Sequence, residues 1–320
     1  MKAMIYRRYG TPENLRLEDI ETPRPGDGEV LVRIHATSLN SWDWELLAGV
    51  PFANRMMYGL LRPRRRILGS DIAGTVEEVG SGVGKFRPGD EVLGDISGRW
   101  GGLAEHVCAP EGALTLKPNG LTFAQAASLP QAGLLALQGL RAKKHVEPGH
   151  RVLINGAGGG AGTFAVQIAK SLGAEVAGVD SGEKLDLLLS IGADHVFDYR
   201  REDPLKVGSR YDLILDFACH RTALDYLRAL ADDGAYVMVG GATKRIFQVQ
   251  LVAPWISLLS SKRAGLLMAR PNKDMHLLLD LVETGTVVPV IDRTYPLTEA
   301  ADALRLLGGG HAQGKLVILI

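Results

Sequence analysis

The sequence predicts a two-domain α/β protein, in which a compact β-rich domain accompanies a doubly wound parallel sheet. Three observations lead to this prediction: short strand-like runs in the first third, alternating strands and helices in the middle, and a glycine-rich turn between a strand and a helix. The chain has 320 residues, of which 46% are hydrophobic and 22% charged. This length and composition are sufficient for two hydrophobic cores.

The first third holds short apolar runs that end in Gly and Pro. Strands are predicted at residues 29–36 and 72–79, and the segment 86–93 places a Pro-Gly turn, at 88–89, before a third strand. Runs of four to eight residues that alternate with turn residues are typical of a mostly β domain.

The middle of the chain alternates between strand and helix patterns. An Ala- and Leu-rich helix at 122–141 is interrupted by Pro130. Beyond it, the predicted strands are 151–154, 175–179, 195–197, 211–216 and 235–239, and the predicted helices are 163–172 and 184–190. Apolar strands that alternate with helices indicate a parallel sheet covered on both faces.

The last part of the chain adds two more pairs of elements. A helix at 277–283 and a strand at 287–291 are followed by a helix at 298–307 and a strand at 315–320. Periodicity alone does not assign this tail to either domain.

Charge and cysteine content exclude several classes of protein. The 36 basic and 36 acidic side chains cancel, so nothing indicates a nucleic acid partner. No run reaches about 18 uninterrupted apolar residues, so no membrane span is expected. The two cysteines, Cys108 and Cys219, exclude a disulfide framework and favour a reducing, cytoplasmic location.

The glycine-rich turn at 155–162 predicts a dinucleotide site. It follows a strand and opens a helix, and a second strand follows about twenty residues on, which makes the match specific. Two fingerprint registers overlap, one on Gly156, Gly158 and Ala161 and the other on Ala157, Gly159 and Gly162. The alternative is a merely flexible loop. The residues expected to bind the pyrophosphate are Ala157, Gly159, Gly160, Ala161 and Gly162.

The residues after the second strand of this unit bear on the choice of dinucleotide. Asp180 suits the ribose hydroxyls of NAD(H), whereas Ser181 and Lys184 suit the 2′-phosphate of NADP(H). Tyr199 is expected to stack on adenine, and Arg200 adds positive charge. We favour NADP(H), with NAD(H) as the alternative. Lys184 as a solvated helix residue and Asp180 as an outward-facing acid are the structural alternatives.

Several motifs together resemble the medium-chain dehydrogenase/reductase superfamily over essentially the whole chain, in its zinc-independent quinone oxidoreductase branch. They are MKA at 1–3, SLNSWD at 38–43, GSDIAG at 69–74, VGSGV at 79–83, FRPGDEV at 86–92, GGLAE at 101–105, LPQAG at 129–133, the glycine turn, GAD at 192–194 and HAQGKLV at 311–317.

This resemblance implies a domain organisation and an assembly. A GroES-like catalytic domain would comprise residues 1–120 and 257–320, and a Rossmann domain residues 121–256, with the active site in the cleft between them. It also implies a homodimer that pairs edge strands of two Rossmann sheets near residues 246–252.

The resemblance further implies roles for individual residues. Asn40 and Asp43 match the family's Asn-x-x-Asp pattern and are the candidate catalytic residues, although either side chain can instead cap or anchor its loop. Gln131 and the turn at Gly240 and Gly241 are expected near the nicotinamide. Lys315 is expected near the pyrophosphate, and Asn40 is also expected to contact the cofactor.

No metal site is predicted. Asn40 and Ser70 occupy the positions of two zinc ligands in the zinc enzymes of the superfamily, and no four-cysteine lobe exists. The related enoyl reductases use a tyrosine after the Asn-x-x-Asp motif. Phe52 is near that place here, so Tyr58 could serve only if its loop folds back.

The activity predicted from these residues is NADPH-dependent hydride transfer to a quinone or an α,β-unsaturated carbonyl. An NAD(P)-dependent alcohol dehydrogenase and an enoyl-thioester reductase are alternatives on the same fold. A cofactor-binding structural or regulatory protein with little turnover is an alternative of another class.

One segment, at residues 52–66, is unusual. It combines Met56, Met57 and Tyr58 with the arginines of residues 62–66. It is either a mobile lid for a bulky or acidic substrate, or a solvated basic loop with a small hydrophobic anchor.

Overall fold

The computed structural model describes residues 1–206, 208 and 210–320, which form two compact units. The first comprises Met1–Gln131, Pro271–Leu279 and Ile291–Ile320, and the second Ala132–Arg270 and Asp280–Val290. The boundaries at 131/132 and 270/271 lie further along the chain than the predicted 120/121 and 256/257, and residues 280–290, expected in the first domain, belong to the second unit. The two boundaries differ because the helix before Pro130 packs on strands of the first unit, and because the second unit's sheet gains a strand after residue 260.

The elements of residues 1–129 are mostly strands. They are β1 (Lys2–Tyr6), β2 (Leu15–Asp19), β3 (Glu29–Leu39), α1 (Ser41–Ala48), α2 (Phe52–Tyr58), β4 (Asp71–Val79), β5 (Glu91–Asp95), β6 (His106–Pro110), β7 (Thr115–Leu116) and α3 (Phe123–Ser128). The third predicted strand is β5, which begins at Glu91 after the turn at Pro88 and Gly89, as expected.

Strands and helices alternate from residue 130. The elements are α4 (Pro130–Gly139), β8 (Arg151–Asn155), α5 (Gly160–Ser171), β9 (Glu175–Asp180), α6 (Leu185–Ser190), β10 (His195–Asp198), β11 (Tyr211–Asp216), α7 (Ala223–Leu227), β12 (Leu230–Met238), α8 (Thr243–Leu259), β13 (Arg263–Leu266), α9 (Met275–Glu283), β14 (Ile291–Pro296), α10 (Ala300–Gly308) and β15 (Lys315–Leu319).

The first unit is built on a mixed sheet around the long strand β3. Its strands lie in the order β14-β15-β3-β4-β5-β7, and β6 also pairs with β3. In this sheet β15 runs antiparallel beside β3, with Leu316 opposite Leu39. The last strand of the chain therefore lies beside the loop at Asn40, which begins where β3 ends.

The second unit contains the predicted parallel sheet. Its six strands lie in the order β10-β9-β8-β11-β12-β13, and every neighbouring pair is parallel. This is the strand order of a dinucleotide-binding fold, in which ligands bind at the carboxyl ends of the strands where the order reverses. That point lies between β8 and β11.

Two predicted strands are wrong. Residues 246–252, expected as an edge strand for dimer pairing, lie inside helix α8, and β13 is instead the edge on that side. That strand was implied by the family resemblance alone, and in this chain a continuous 17-residue helix takes up the segment. Residues 287–290 form no strand, and β14 begins only at Ile291. Within the described residues, no helix is long and apolar enough to cross a membrane.

Candidate functional site

The glycine turn has the geometry that a dinucleotide pyrophosphate requires. Gly156 adopts a φ of +80°, and its amide donates to Val179 O at 2.9 Å. Helix α5 begins at Gly160, one turn earlier than predicted, with Gly159 as its N-cap. A Cβ on Gly162 would collide with the carbonyl oxygens of Gly156 and Ala157. The turn is therefore closed tightly, and the first amides of α5 are left without helical partners, as an anion site needs.

Asp180 is held against this turn rather than facing solvent. Its carboxylate accepts hydrogen bonds from the amides of Gly158 and Ser181, both at 2.8 Å. The Lys184 ammonium lies 3.5 Å from the same carboxylate, and only 6% of Lys184 is exposed. The solvated alternative for Lys184 and the outward-facing one for Asp180 are therefore wrong. A buried cation thus offsets the carboxylate charge at the end of β9, where contact with the dinucleotide ribose is predicted.

Tyr199 lies at the end of the neighbouring strand. Its amide donates to Asp180 O at 3.2 Å, and about half of its surface is exposed. The guanidinium of Arg200 lies 5.5 Å from the centre of the Tyr199 ring and also pairs with Glu183 at 3.2 Å. The structure thus brings Tyr199 and Arg200 beside Asp180, while adenine stacking stays a prediction.

The turn at Gly240 and Gly241 packs against the side chain of Cys219. Both glycines have positive φ, at +70° and +102°, which favours glycine at each position. The thiol of Cys219 lies 3.5 Å from Gly240 O, and a Cβ on Gly241 would come within 2.7 Å of the Cys219 Cβ. Burial raises the pKa of the Cys219 thiol, so it acts here as a packed neutral group.

A buried polar cluster lies where β8 and β11 end, and sequence reasoning missed it. The Asp216 carboxylate accepts hydrogen bonds from the Asn155 side chain (2.7 Å), the Cys219 amide (2.8 Å) and the Tyr236 hydroxyl (3.0 Å). Tyr236 stacks on Tyr226 with 4.8 Å between ring centres. The sequence feature that could have revealed this cluster is that Asn155 and Asp216 are polar residues at the ends of two apolar strands, at the sheet edge where ligands bind.

In the first unit, Asn40 is joined to Lys315 and Asp71. The Lys315 ammonium donates to Asn40 Oδ1 at 2.5 Å and to Leu39 O at 3.1 Å, and lies 3.7 Å from Asp71 Oδ2. The Asn40 amide donates to Asp71 Oδ2 at 2.9 Å and to Ser70 Oγ at 3.4 Å. Both amide donors are thus directed into the network. The Lys315 side chain is buried with them, and its contact with the pyrophosphate stays a prediction.

Asp43 anchors its loop by hydrogen bonds, which was the structural alternative to a catalytic role. Asp43 is fully buried. Its carboxylate accepts hydrogen bonds from the backbone N–H of Asn40 at 2.8 Å and from the backbone N–H of Gly69 at 2.7 Å. The first of these bonds belongs to a capping box that begins α1. Burial raises the pKa of Asp43 to about 6 against the effect of both bonds. A direct catalytic role for Asp43 stays a prediction.

Asp71 and Asp95 complete a cluster of carboxylates around the lysine. The Gln131 amide donates to both oxygens of Asp71, at 3.1 and 3.2 Å. Burial raises the pKa of Asp71 and of Asp95, and lowers that of Lys315, because a low-dielectric interior disfavours each charged form. The mutual attraction of these opposite charges works against that effect. The predicted contact of Gln131 with nicotinamide stays a prediction.

The segment after α1 folds back onto it. The Tyr58 ring meets the Trp42 ring edge-on, with 6.3 Å between centres, and the Tyr9 hydroxyl donates to Gly59 O at 2.6 Å. The loop of Tyr58 thus folds back onto α1, while a role of Tyr58 as proton donor stays a prediction. Phe52, at the position expected for the tyrosine of the enoyl reductases, is exposed.

Across residues 1–206, 208 and 210–320, no group of three or more His, Cys, Asp or Glu side chains is arranged to hold a metal ion. Cys108 and Cys219 are both free thiols.

A parallel sheet with a tight glycine turn, joined in one chain to a β-rich unit, defines the class of dinucleotide-binding oxidoreductases. Two family models match the chain: an alcohol dehydrogenase GroES-like domain at residues 26–119 and a zinc-binding dehydrogenase at residues 191–318. The chain belongs to the medium-chain dehydrogenase/reductase family, in its quinone oxidoreductase-like branch.

Three known proteins illustrate the range of this family. The quinone oxidoreductase of Coxiella burnetii is 32% identical, with a TM-score of 0.88, over 100% of this chain and 99% of that one. An NADPH-dependent alkenal/one oxidoreductase of Arabidopsis thaliana is 31% identical over 99% of this chain and 79% of its own length. An NAD-dependent alcohol dehydrogenase of Sulfolobus acidocaldarius is 33% identical over the full length of both.

Proposed function

We propose that this protein is an NADPH-dependent reductase of quinones or α,β-unsaturated carbonyls that works without a metal ion. The observation that carries the proposal is the closed glycine turn with the buried Asp180–Lys184 pair beside it. The names of the Coxiella burnetii and Arabidopsis thaliana relatives give the class of acceptor.

The second unit has the residues to hold the dinucleotide. The first amides of α5 would bind the pyrophosphate, since a helix N-terminus attracts anions and the glycines allow close approach. The turn at Gly240 and Gly241 would meet the nicotinamide, and the Asp216 cluster fixes that turn through Cys219. When bound, the dinucleotide supplies the hydride, and the protein orients it.

NADPH is favoured over NADH by the charge around Asp180. An unpaired carboxylate would repel a 2′-phosphate, but here two backbone amides and the Lys184 ammonium surround it. Ser181 adds a hydroxyl, and Arg200 lies beside Tyr199 at the neighbouring strand end. Lys184 balances Asp180 and Arg200 balances Glu183, so a 2′-phosphate would meet less repulsion here than beside an unpaired carboxylate.

The first unit would contribute a rigid polar group rather than a Lewis acid. A zinc site does not fit these residues, because an amide and a hydroxyl replace thiolate and imidazole, and the Lys315 ammonium already occupies the Asn40 oxygen. The Asn40 N–H that points to Ser70 makes the longest bond of the network, at 3.4 Å. We assign that N–H to the substrate oxygen, where it would stabilise developing negative charge.

The decisive experiment measures oxidation of NADPH and NADH with a panel of quinones, enones, enoyl thioesters and simple aldehydes. Turnover of a quinone or enone with NADPH is expected, and its rate should survive exhaustive treatment with a chelator. Turnover restricted to NADH and aldehydes would favour the alcohol dehydrogenase alternative, which the Sulfolobus acidocaldarius relative keeps open. Tight NADPH binding without turnover would favour the non-catalytic alternative.

A homodimer and a cytoplasmic location belong to the same proposal. Helix α8 exposes Phe247, Leu251, Trp255 and Leu258, which lie on one helical face, and the neighbouring β13 is a sheet edge. Such an apolar face next to an open edge is typical of a subunit interface. Sedimentation should give a dimer, and Leu251→Asp should dissociate it. Two free cysteines suit a reducing compartment.

A further inference from the structure

The segment at residues 52–66 carries an unusual local charge. Residues 46–70 include five arginines and no Asp, Glu or Lys, although the whole chain is neutral. Arg62, Arg64, Arg65 and Arg66 are exposed, and none of them forms a salt bridge to any residue that the structure describes. These four positive charges therefore face solvent without a salt-bridge partner among the described residues.

The same segment exposes large apolar side chains. Phe52, Met56, Met57 and Leu61 are 61%, 71%, 67% and 88% exposed. The expected hydrophobic anchor exists, but it consists of Tyr58 and the buried Pro63 rather than the methionines. The apolar side chains that remain outside are too many for an ordinary solvated loop.

The arginines and the apolar side chains lie close together. The chain turns back after α2, because the Arg64 amide donates to Tyr58 O at 2.7 Å. A Cβ on Gly59 would lie only 3.2 Å from Cγ of Arg64. Arg55 fixes the base of the turn by donating to Gly49 O at 2.9 Å and lying over the Tyr9 ring. Basic and apolar groups thus share one small, internally braced surface.

We propose that this surface, residues 52–66, docks the protein peripherally on an anionic lipid bilayer. Phe52, Met56 and Met57 would enter the boundary between headgroups and acyl chains, while the arginines bind lipid phosphates. Arginine side chains suit this arrangement, since their aliphatic stems lie along apolar surface and their charged ends stay in water. The docking goes beyond the proposed reduction and does not depend on it.

An anionic bilayer is favoured over a second copy of the chain by charge. Two copies that met through this surface would bring eight exposed arginines together with no carboxylate from residues 46–70 to balance them. A bilayer rich in anionic headgroups balances all of them. The apolar face of α8 is a separate surface on the second unit and remains available for dimer formation.

The test is co-sedimentation of the full chain with vesicles, without cofactor or substrate. Vesicles of phosphatidylcholine mixed with phosphatidylglycerol should bind the protein at low salt, and pure phosphatidylcholine should bind it weakly. The R62Q/R66Q variant should bind the anionic vesicles roughly 25-fold more weakly, at about fivefold for each charge. The M56S/M57S variant should lose about tenfold or more, because each methionine loses its burial in the bilayer.

A matched control separates this surface from overall charge. Arg87→Gln and Arg201→Gln together remove the same two charges from arginines whose side chains are 87% and 86% exposed elsewhere. That double variant should bind vesicles within about twofold of the wild type, since surface potential acts locally. Thermal unfolding of all variants checks that each remains folded.

Three results would overturn the docking proposal. The first is equal vesicle binding by wild type, R62Q/R66Q and M56S/M57S. The second is no sedimentation with anionic vesicles at low salt. The third is a change of oligomeric state in M56S/M57S, which would assign the surface to a second copy of the chain. Loss of enzyme activity is not a readout here, so failure of the reductase proposal leaves the result interpretable.

Discussion

Replacing Lys315 with methionine tests whether the buried network around Asn40 is held together by charge. The ammonium is 2% exposed and lies 3.7 Å from the fully buried Asp71 carboxylate. Removing one partner of a buried pair leaves the other charge uncompensated, at a cost of about 3–5 kcal/mol. Asp71 keeps hydrogen bonds from the Asn40 side chain and the Gln131 amide, which places the expected loss of unfolding free energy near the lower limit, at about 3 kcal/mol.

Urea unfolding followed by tryptophan fluorescence measures this loss. Three of the four tryptophans, Trp42, Trp44 and Trp100, belong to the first unit, so the signal reports mainly the unit that contains Lys315. In an Asp71→Asn background the same K315M change should cost clearly less, about 1–2 kcal/mol, because the carboxylate that pairs with the ammonium is gone and only the weaker attraction of Asp43 and Asp95 is lost. An equal cost in both backgrounds, or a cost below about 1 kcal/mol in the wild type, would refute the reasoning.

Three further predictions follow from the same geometry. The pKa of Asp43 is raised to about 6, so the contribution of Asp43 to the unfolding free energy should fall by about 3 kcal/mol as the pH rises from 4 through 6. The D43N variant should lose this pH dependence. Measured by urea unfolding, the variant should therefore be less stable than the wild type by a larger amount at pH 4 than at pH 7. Lys184→Met should lower kcat/KM for NADPH by about tenfold or more and change kcat/KM for NADH by less than about threefold. As a control, Lys170→Met, which removes a lysine paired with Asp194 in the same unit, should change neither value. Equal losses with both cofactors would contradict our assignment of Lys184. Gly162→Ala should cost about 1–3 kcal/mol and abolish NADPH binding measured by calorimetry, whereas Gly120→Ala, where a Cβ meets open space, should leave binding intact.

The sequence predicted those features that local patterns encode. The glycine turn, the strands around it and the alternation of the second unit depend on neighbouring residues, and the structure has them within a few positions. The helix after the turn begins at Gly160 rather than residue 163, because a helix takes in its first turn before the apolar periodicity is visible. The strand expected at residues 246–252 came from the family resemblance and not from a local pattern, and the structure places those residues in helix α8.

The contacts that organise the first unit were not predictable in this way. Lys315 and Asn40 are 275 residues apart, and they meet only because β15 pairs with β3. The resemblance identified both residues as important but gave Lys315 a different partner. In the second unit, the ion pair between Lys184 and Asp180 depends on the backbone conformation of the residues that link them, and the spacing of the two residues in the sequence does not determine that conformation. Tertiary pairing decides where a charged side chain points.

The most direct test of the central claim uses NADPH deuterated on the transferable side of the nicotinamide ring, with an enone as acceptor. Mass spectrometry of the product should show one deuterium on the β-carbon, in metal-depleted protein as in untreated protein. Product without deuterium, or turnover that returns only when zinc is added, would contradict metal-free hydride transfer by this chain.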